Sequence, residues 1–299
     1  MNFPRRQHWV PRLYLKAFSE LDPTGGHRVW CIPKEDADPY RTSIDNVAVQ
    51  KWLYSPKDGA GIRSGEVEDL LSNLESAIAP LWHVFANGEL IDLTHPPYRQ
   101  ILALFVAGLH ARHPKRIEDH RFDPQSLMKA LAKGFEDSKG RSESVAIDGN
   151  GEAAQVSSAD RDTYRNLDDE AMQFAFAQGL QTATKNIAQT LIKKVWTVLQ
   201  FKDPILVTSD APVMIVNPNT MSPSFRTPGT VTFLPVSPER LLVLTDDVGN
   251  GNEYKWALDG MAQHANLTAW LTATKYLITS QDPSALINDI TMFFEREYP

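Results

Sequence analysis

The chain has 299 residues, 42% of them hydrophobic and 22% charged, and carries a formal charge of -7. Its mean hydropathy is -0.32, and its longest apolar run, Ile101 to Leu109, falls far short of the roughly 18 to 20 residues that cross a bilayer. These values exclude collagenous, intrinsically disordered and helical membrane-spanning classes and argue against bulk binding to polyanions.

The first residues, Met1-Asn2-Phe3-Pro4-Arg5-Arg6, are followed by Gln7, His8 and Arg12 where a secretory signal needs an apolar stretch, so a cytoplasmic protein without a membrane partner is expected. The single cysteine, Cys31, cannot form an internal disulfide. Charge is unevenly placed. Arg5, Arg6, Arg12 and Lys16 precede Phe18 with no acid among them, and a second basic group comprises Arg112, Lys115, Arg116 and Arg121.

Taken in chain order, Arg28 to Ile32 and Lys51 to Tyr54 are short apolar runs ending at turn residues and are predicted as strands, with loop over 36–43. From Glu66 to Phe85, apolar residues recur every three or four positions, which predicts an amphipathic helix begun by Ser64 and stopped by Asn87-Gly88. A second helix follows Thr94-His95-Pro96-Pro97 and ends near His113, because Pro114 disfavours helix at the residue before it.

A short helix over Gln125 to Phe135 is next, and the Ser-, Gly- and acid-rich segment 136–160 is predicted as a mobile loop. Helical spacing resumes from Thr163 to Gln200, as one helix or two. After Phe201 the period shifts toward strands at Ile205 to Val207, Val213 to Val216, Thr230 to Leu234, Leu241 to Thr245 and Tyr276 to Thr279. Helix is predicted from Trp256 to Leu271 and again from Ser284. The expected class is α+β, one domain over 1–299: a helical middle packed on a mainly antiparallel C-terminal sheet, with an N-terminal strap and short strands.

The segment Gln7-His8-Trp9-Val10-Pro11-Arg12, followed by Tyr14-Leu15 and Phe18-Ser19, resembles the opening of a bacterial family, domain-of-unknown-function family 4238. Further landmarks agree in order: Trp52 to Tyr54, a helix with Glu68, Leu71 and Glu75, then Arg112-His113-Pro114. Trp196, Thr208-Ser209-Asp210-Ala211-Pro212-Val213 and Leu234-Pro235-Val236-Ser237-Pro238 complete the series. Ala211 departs from the Asn expected there, which bears on the turn more than on chemistry. The resemblance implies no activity.

Arg112 continues the apolar stripe of its helix, three residues after Leu109 and seven after Phe105. A buried guanidinium needs a carboxylate or a bound anion, and Glu75 and Asp210 are the candidates. Glu68 and Glu75 stand about two turns apart at the border of the first helix's buried face. Asp210 lies at a strand-end turn, where it serves a site or simply closes an Asx turn. His8 is a candidate acid, base or ligand, or a hydrogen-bonded structural residue. His110 and His113 have a spacing compatible with one metal ion, but lack the Glu of a zincin helix. Walker, dinucleotide-binding, nucleophile-elbow and kinase motifs are absent from the sequence.

Two functional classes follow. One is a hydrolase of a phosphate-bearing substrate, nucleic acid or nucleotide, with His8, Asp210 and Glu75 as catalytic residues and Gln7, Arg12 and Arg112 binding the substrate. The metal requirement is open, with a divalent ion one option for Asp210 and Glu75. The alternative is a non-catalytic binding protein of bacterial stress or phage-conflict systems, using the same basic surface for a protein or anionic ligand. In a third view the N-terminal motif is purely architectural.

Overall fold

The N-terminal motif builds a short strand, β1 (Arg6–His8), and one helical turn, α1 (Arg12–Leu15), opened by Pro11 with φ -65°. The computed structural model describes residues 4–57, 61–116, 144–149, 152–157, 169–220, 223–246 and 252–297. Strands β2 (Glu20–Leu21), β3 (His27–Pro33), β4 (Tyr40–Ser43) and β5 (Val49–Lys51) follow. β1 pairs with β5, Gln7 opposite Gln50. The strand predicted at 51–54 instead ends at Lys51, because Trp52 takes the left-handed conformation with φ +58°. Part of the predicted loop at 36–43 is β4, whose Tyr40, Thr42 and Ser43 pair along β3.

Two long helices come next, α2 (Glu66–Ala86) and α3 (Pro96–Ala111). The predicted apolar stripe of α2 buries Leu71, Ile78, Trp82 and Phe85. Gly65 occupies the capping position, while Ser64 Oγ accepts the Glu66 N–H at 3.2 Å. The helix stops where predicted, at Asn87, and Gly88 follows with φ +101°, a conformation that suits glycine. α3 starts on Pro96, where the missing N–H costs nothing.

The hairpin of β6 (Ser144–Gly149) and β7 (Glu152–Ser157) falls inside the segment predicted as loop. The intervening sequence is Asn150-Gly151, the pair that favours two-residue hairpin connections. The predicted helix at 125–135 lies outside the described residues. α4 (Asp169–Lys193) packs on α3; Gly108 of α3 faces Leu74 and Thr184, where a Cβ would stand 3.4 Å from the Leu74 side chain. The predicted helix over 163–200 therefore ends at Lys193. Val195 and Trp196 begin a strand, β8 (Val195–Gln200), although their spacing continues the helical stripe.

The remaining elements are β9 (Thr208–Ser209), β10 (Met214–Val216), β11 (Val231–Ser237), β12 (Arg240–Thr245), β13 (Glu253–Trp256), α5 (Met261–Thr272), β14 (Tyr276–Thr279) and α6 (Ser284–Glu297). The strand predicted at 205–207 is displaced to Thr208–Ser209, and the predicted helix over 256–271 begins only at Met261, after β13. One sheet has the order β10-β11-β12-β8-β13, antiparallel except for β13 on β8. The other runs β2-β3-β14-β9, with β4 also on β3. The C-terminal strand β14 is thus inserted between β3 and β9. The class is α+β.

The strap binds these layers together. Trp9, Val10, Tyr14, Leu15 and Phe18 are buried in the main core with Trp82, Phe85 and Phe105. The Tyr14 ring lies 5.6 Å from that of Trp82, and its hydroxyl meets Thr208 Oγ1 at 2.7 Å and donates to the Pro235 carbonyl at 2.6 Å. Burial of each such large side chain contributes about 1.5–3 kcal/mol.

Two arginines join helix ends to sheet. Arg240 of β12 donates to the carbonyl of Phe85 in the last turn of α2 at 2.9 Å, and beyond the helix to those of Glu89 at 2.6 Å and Gly88. Arg99 of α3 donates to Ile192 at 2.9 Å and to Lys194, closing the end of α4. Among the described residues, no helix is long and apolar enough to cross a membrane.

Candidate functional site

The C-terminal end of α3 carries Arg112 and His113, both buried, and the two side chains serve different polar groups. On one side Arg112, 2% exposed, donates Nη1 to Glu75 Oε1 of α2 at 2.8 Å. Glu75 is the partner, as the phase of the two helices allows. Arg112 Nε is buried without a hydrogen-bond partner among the described residues. Tyr54 donates its hydroxyl to the Arg112 carbonyl at 2.7 Å and packs its ring on Phe176 of α4.

Glu68, two turns before Glu75 on α2, completes this side. Burial, reinforced by the Glu75 charge and opposed by Arg112, pushes its carboxyl up to about 7. The helical spacing puts Glu68 on the border of the buried face without pointing to a role; the lack of a counter-charge within one turn of it is the signal in the sequence. Two carboxyls on one helix face thus meet different surroundings: Glu75 is held by a guanidinium, whereas burial raises Glu68.

His8 of β1 is half-buried, and its Nδ1 lies 3.0 Å from the Val47 carbonyl. A carbonyl only accepts, so Nδ1 carries the proton and Nε2 keeps a lone pair. Burial lowers the His8 pKa, with the Arg12 charge assisting and the Val47 carbonyl, Asp45 and Glu75 opposing. The imidazole is therefore a neutral base near neutral pH.

The other side centres on Asp210, which follows β9 and is fully buried. Its Oδ1 accepts the Thr274 N–H at 2.9 Å and the Lys275 N–H at 3.1 Å, and Oδ2 accepts the Thr274 hydroxyl. His113 Nε2 stands 3.7 Å from Oδ2, while its Nδ1 accepts the Lys115 N–H at 3.1 Å, which places the ring proton on Nε2. Burial alone would raise the Asp210 carboxyl, but donation by His113, Thr274 and Lys275 outweighs it and holds the group below its ordinary range. Trp9 bridges the two sides, donating Nε1 to the Asp210 carbonyl at 2.9 Å with its ring edge-on to His113.

The six sequence candidates therefore divide. His8, Glu75 and Arg112 belong to the side between strap and α2. Asp210 closes the turn before β14 instead of meeting Arg112. Gln7 is fully buried, donating to Ser55 Oγ at 2.8 Å and accepting the Tyr54 N–H at 2.8 Å. Arg12 lies on the surface, its side chain 62% exposed, paired with Asp45 at 2.9 Å. His110 packs edge-on to Phe225 while His113 turns to Asp210, and among the described residues no three His, Cys, Asp or Glu side chains gather around a common point suited to a metal ion.

Compared with known proteins, the chain matches a family model described as "Protein of unknown function (DUF4238)" over residues 6–289. No curated protein and no solved structure matches it.

Proposed function

The chain belongs to the family described as protein of unknown function (DUF4238), and within it we propose a hydrolase that acts on a phosphate-bearing substrate at the Arg112 side of the site. The observation that carries the reading is the buried Arg112 guanidinium, held by Glu75 through Nη1 and left with an Nε–H that no described residue accepts. A guanidinium with an unused N–H suits an oxygen of a phosphate ester.

In this reading Arg112 orients the phosphoryl group and offsets its charge. The Nε2 lone pair of His8 takes a proton from the attacking water. Glu68, in its protonated form, gives a proton to the leaving oxygen. Glu75 fixes Arg112, and its charge favours the protonated form of Glu68. Gln7, Asp210 and Arg12 support the fold around these groups: Gln7 through Tyr54 and Ser55, Asp210 through the turn at Thr274, Arg12 through Asp45.

The test is a screen of the purified chain against bis(p-nitrophenyl) phosphate, ribonucleotides and RNA, with His8→Gln and Glu68→Gln as controls. Each variant is expected to lower turnover by about 10²-fold or more with no fall in melting temperature. Turnover indifferent to both replacements overturns the assignment of roles. Binding of these compounds without product makes the chain a binding protein.

A further inference from the structure

We propose that the surface formed by Trp52, Arg5 and Arg63 binds the phosphodiester backbone of a single-stranded nucleic acid, a polymer substrate for the site described above, on whose reading the hydrolytic part of this inference rests. The Arg5 guanidinium lies 5.8 Å and that of Arg63 4.8 Å from the centre of the Trp52 ring. Stacking on one indole pre-orients two planar donors, so less rotamer freedom is lost when each meets a phosphate oxygen.

The backbone points the same way. Trp52 sits at φ +58°, a region that bulky side chains rarely occupy and that Gly or Asn would adopt without strain. Its N–H donates to the Arg5 carbonyl at 2.9 Å, which fixes the indole beside Arg5. Across the β1–β5 pair, Arg6 stands directly opposite Lys51, with its guanidinium donating to the Asp45 carbonyl at 2.8 Å and to Asn46 Oδ1 at 2.9 Å. Lys57 is bridged to Arg63. Among the described residues, none of Arg5, Arg6, Lys51, Lys57 and Arg63 is in a salt bridge. A chain with net charge -7 thus sets Arg5 and Arg63 on one indole, with Arg6, Lys51 and Lys57 on the backbone paired beside them.

This surface is joined to the candidate site. Arg63 donates to the Ser55 carbonyl, Ser55 Oγ accepts from Gln7, Gln7 accepts the Tyr54 N–H, and the Tyr54 hydroxyl donates to the Arg112 carbonyl. Trp52 faces outward and Tyr54 inward within one short turn. A mononucleotide offers one phosphate, whereas a strand offers successive phosphates to Arg5 and Arg63 together. A cationic surface that tracks the backbone is the feature on which binding of single strands relies.

The experiment is fluorescence anisotropy with a labelled oligodeoxythymidine of about 12 nucleotides, competed with thymidine monophosphate and with the matching duplex. The double variant Arg5→Gln/Arg63→Gln is expected to bind the oligomer roughly tenfold or more weakly, with the slope of log affinity against log salt reduced by about 1.4, near 0.7 per lost phosphate contact. Hydrolysis of bis(p-nitrophenyl) phosphate by the single variant Arg5→Gln, which keeps the Arg63 to Ser55 hydrogen bond, stays at the wild-type level. Trp52→Gly relieves the left-handed strain, so it is expected to keep the melting temperature while losing oligomer affinity. The proposal is overturned if the oligomer binds no tighter than the mononucleotide, if the duplex binds better, or if the variants bind as the parent does. Failure of every ester to react removes the hydrolase reading alone, because the binding curves still decide this one.

Discussion

Arg112 and His113 are consecutive in the chain yet anchor two separate buried polar networks, the first through Glu75 of α2 at 2.8 Å and the second toward Asp210 at 3.7 Å. The end of α3 is therefore pinned to a neighbouring helix and to the turn before β14 by adjacent residues. Asp210→Ala removes the acceptor of the Thr274 and Lys275 N–H groups and of the Thr274 hydroxyl. A loss of about 3 kcal/mol or more in urea unfolding is expected, since orphaned donors to a buried charge each cost roughly 1.5–3 kcal/mol. The same carboxyl sets an acid limit. Its folded-state pKa is below the ordinary value, so its contribution is present above about pH 3.9 and is lost as pH falls through the lower folded value. Asp210→Asn should flatten that limb, whatever its cost at neutral pH.

Glu75 and Arg112 are suited to a double-mutant cycle. Glu75→Ala leaves a buried guanidinium unpaired, but the Glu75 side chain is 32% exposed and water reaches the pair. The expected cost is about 2–3 kcal/mol, below the 3–5 kcal/mol of a fully buried pair. Glu75→Gln keeps an acceptor and costs less. The combined Arg112→Met/Glu75→Leu chain should recover most of the loss while binding no phosphate ester. Additive losses in the two single variants and the double would show that the pair is not energetically coupled.

Arg240 gives a prediction about the junction of helices and sheet. Arg240→Met keeps the aliphatic stem but removes the donors to Phe85, Gly88 and Glu89. A loss of about 2–4 kcal/mol is expected, with amide exchange accelerating in the last turn of α2 before it does so in α3. Uniform acceleration across both helices would mean that the cap acts on the whole fold and not on this helix end.

The helical half of the molecule was legible because its periodicity is set by one buried face: Leu71, Ile78, Trp82 and Phe85 in α2, and Leu102, Phe105 and Leu109 in α3. That same phase predicted a buried Arg112 and named Glu75 among its partners. The strands were less legible. Val195 and Trp196 keep helical spacing after Leu191 but pair with Thr245 and Leu244 in β12, a tertiary choice that local pattern does not contain. The role of Asp210 depends on Thr274 and Lys275, more than sixty residues away, and the αL turn at Trp52 contradicts the propensity of tryptophan. Such positions become visible only when distant segments are brought together.

Glu68 offers the sharpest reading of the site in solution, because its carboxyl is raised to about 7 from an ordinary value of 4.5. A raised acid binds its proton more tightly in the folded state, so the folded chain holds more protons than the unfolded one between those values. Stability therefore falls with rising pH across this window: the favourable contribution is complete below about 4.5 and lost through about 7. Glu68→Gln should remove that decline and leave the chain more resistant to urea on the alkaline side than its parent. Carbon-detected NMR of the side-chain carboxyls should show one glutamate titrating near 7 in the parent and none in the variant. If Glu68 supplies the leaving-group proton, the alkaline limb of the rate profile falls at the same pH and vanishes with the replacement. A glutamate titrating near 4.5 would place water at this carboxyl and sever it from the Arg112–Glu75 pair.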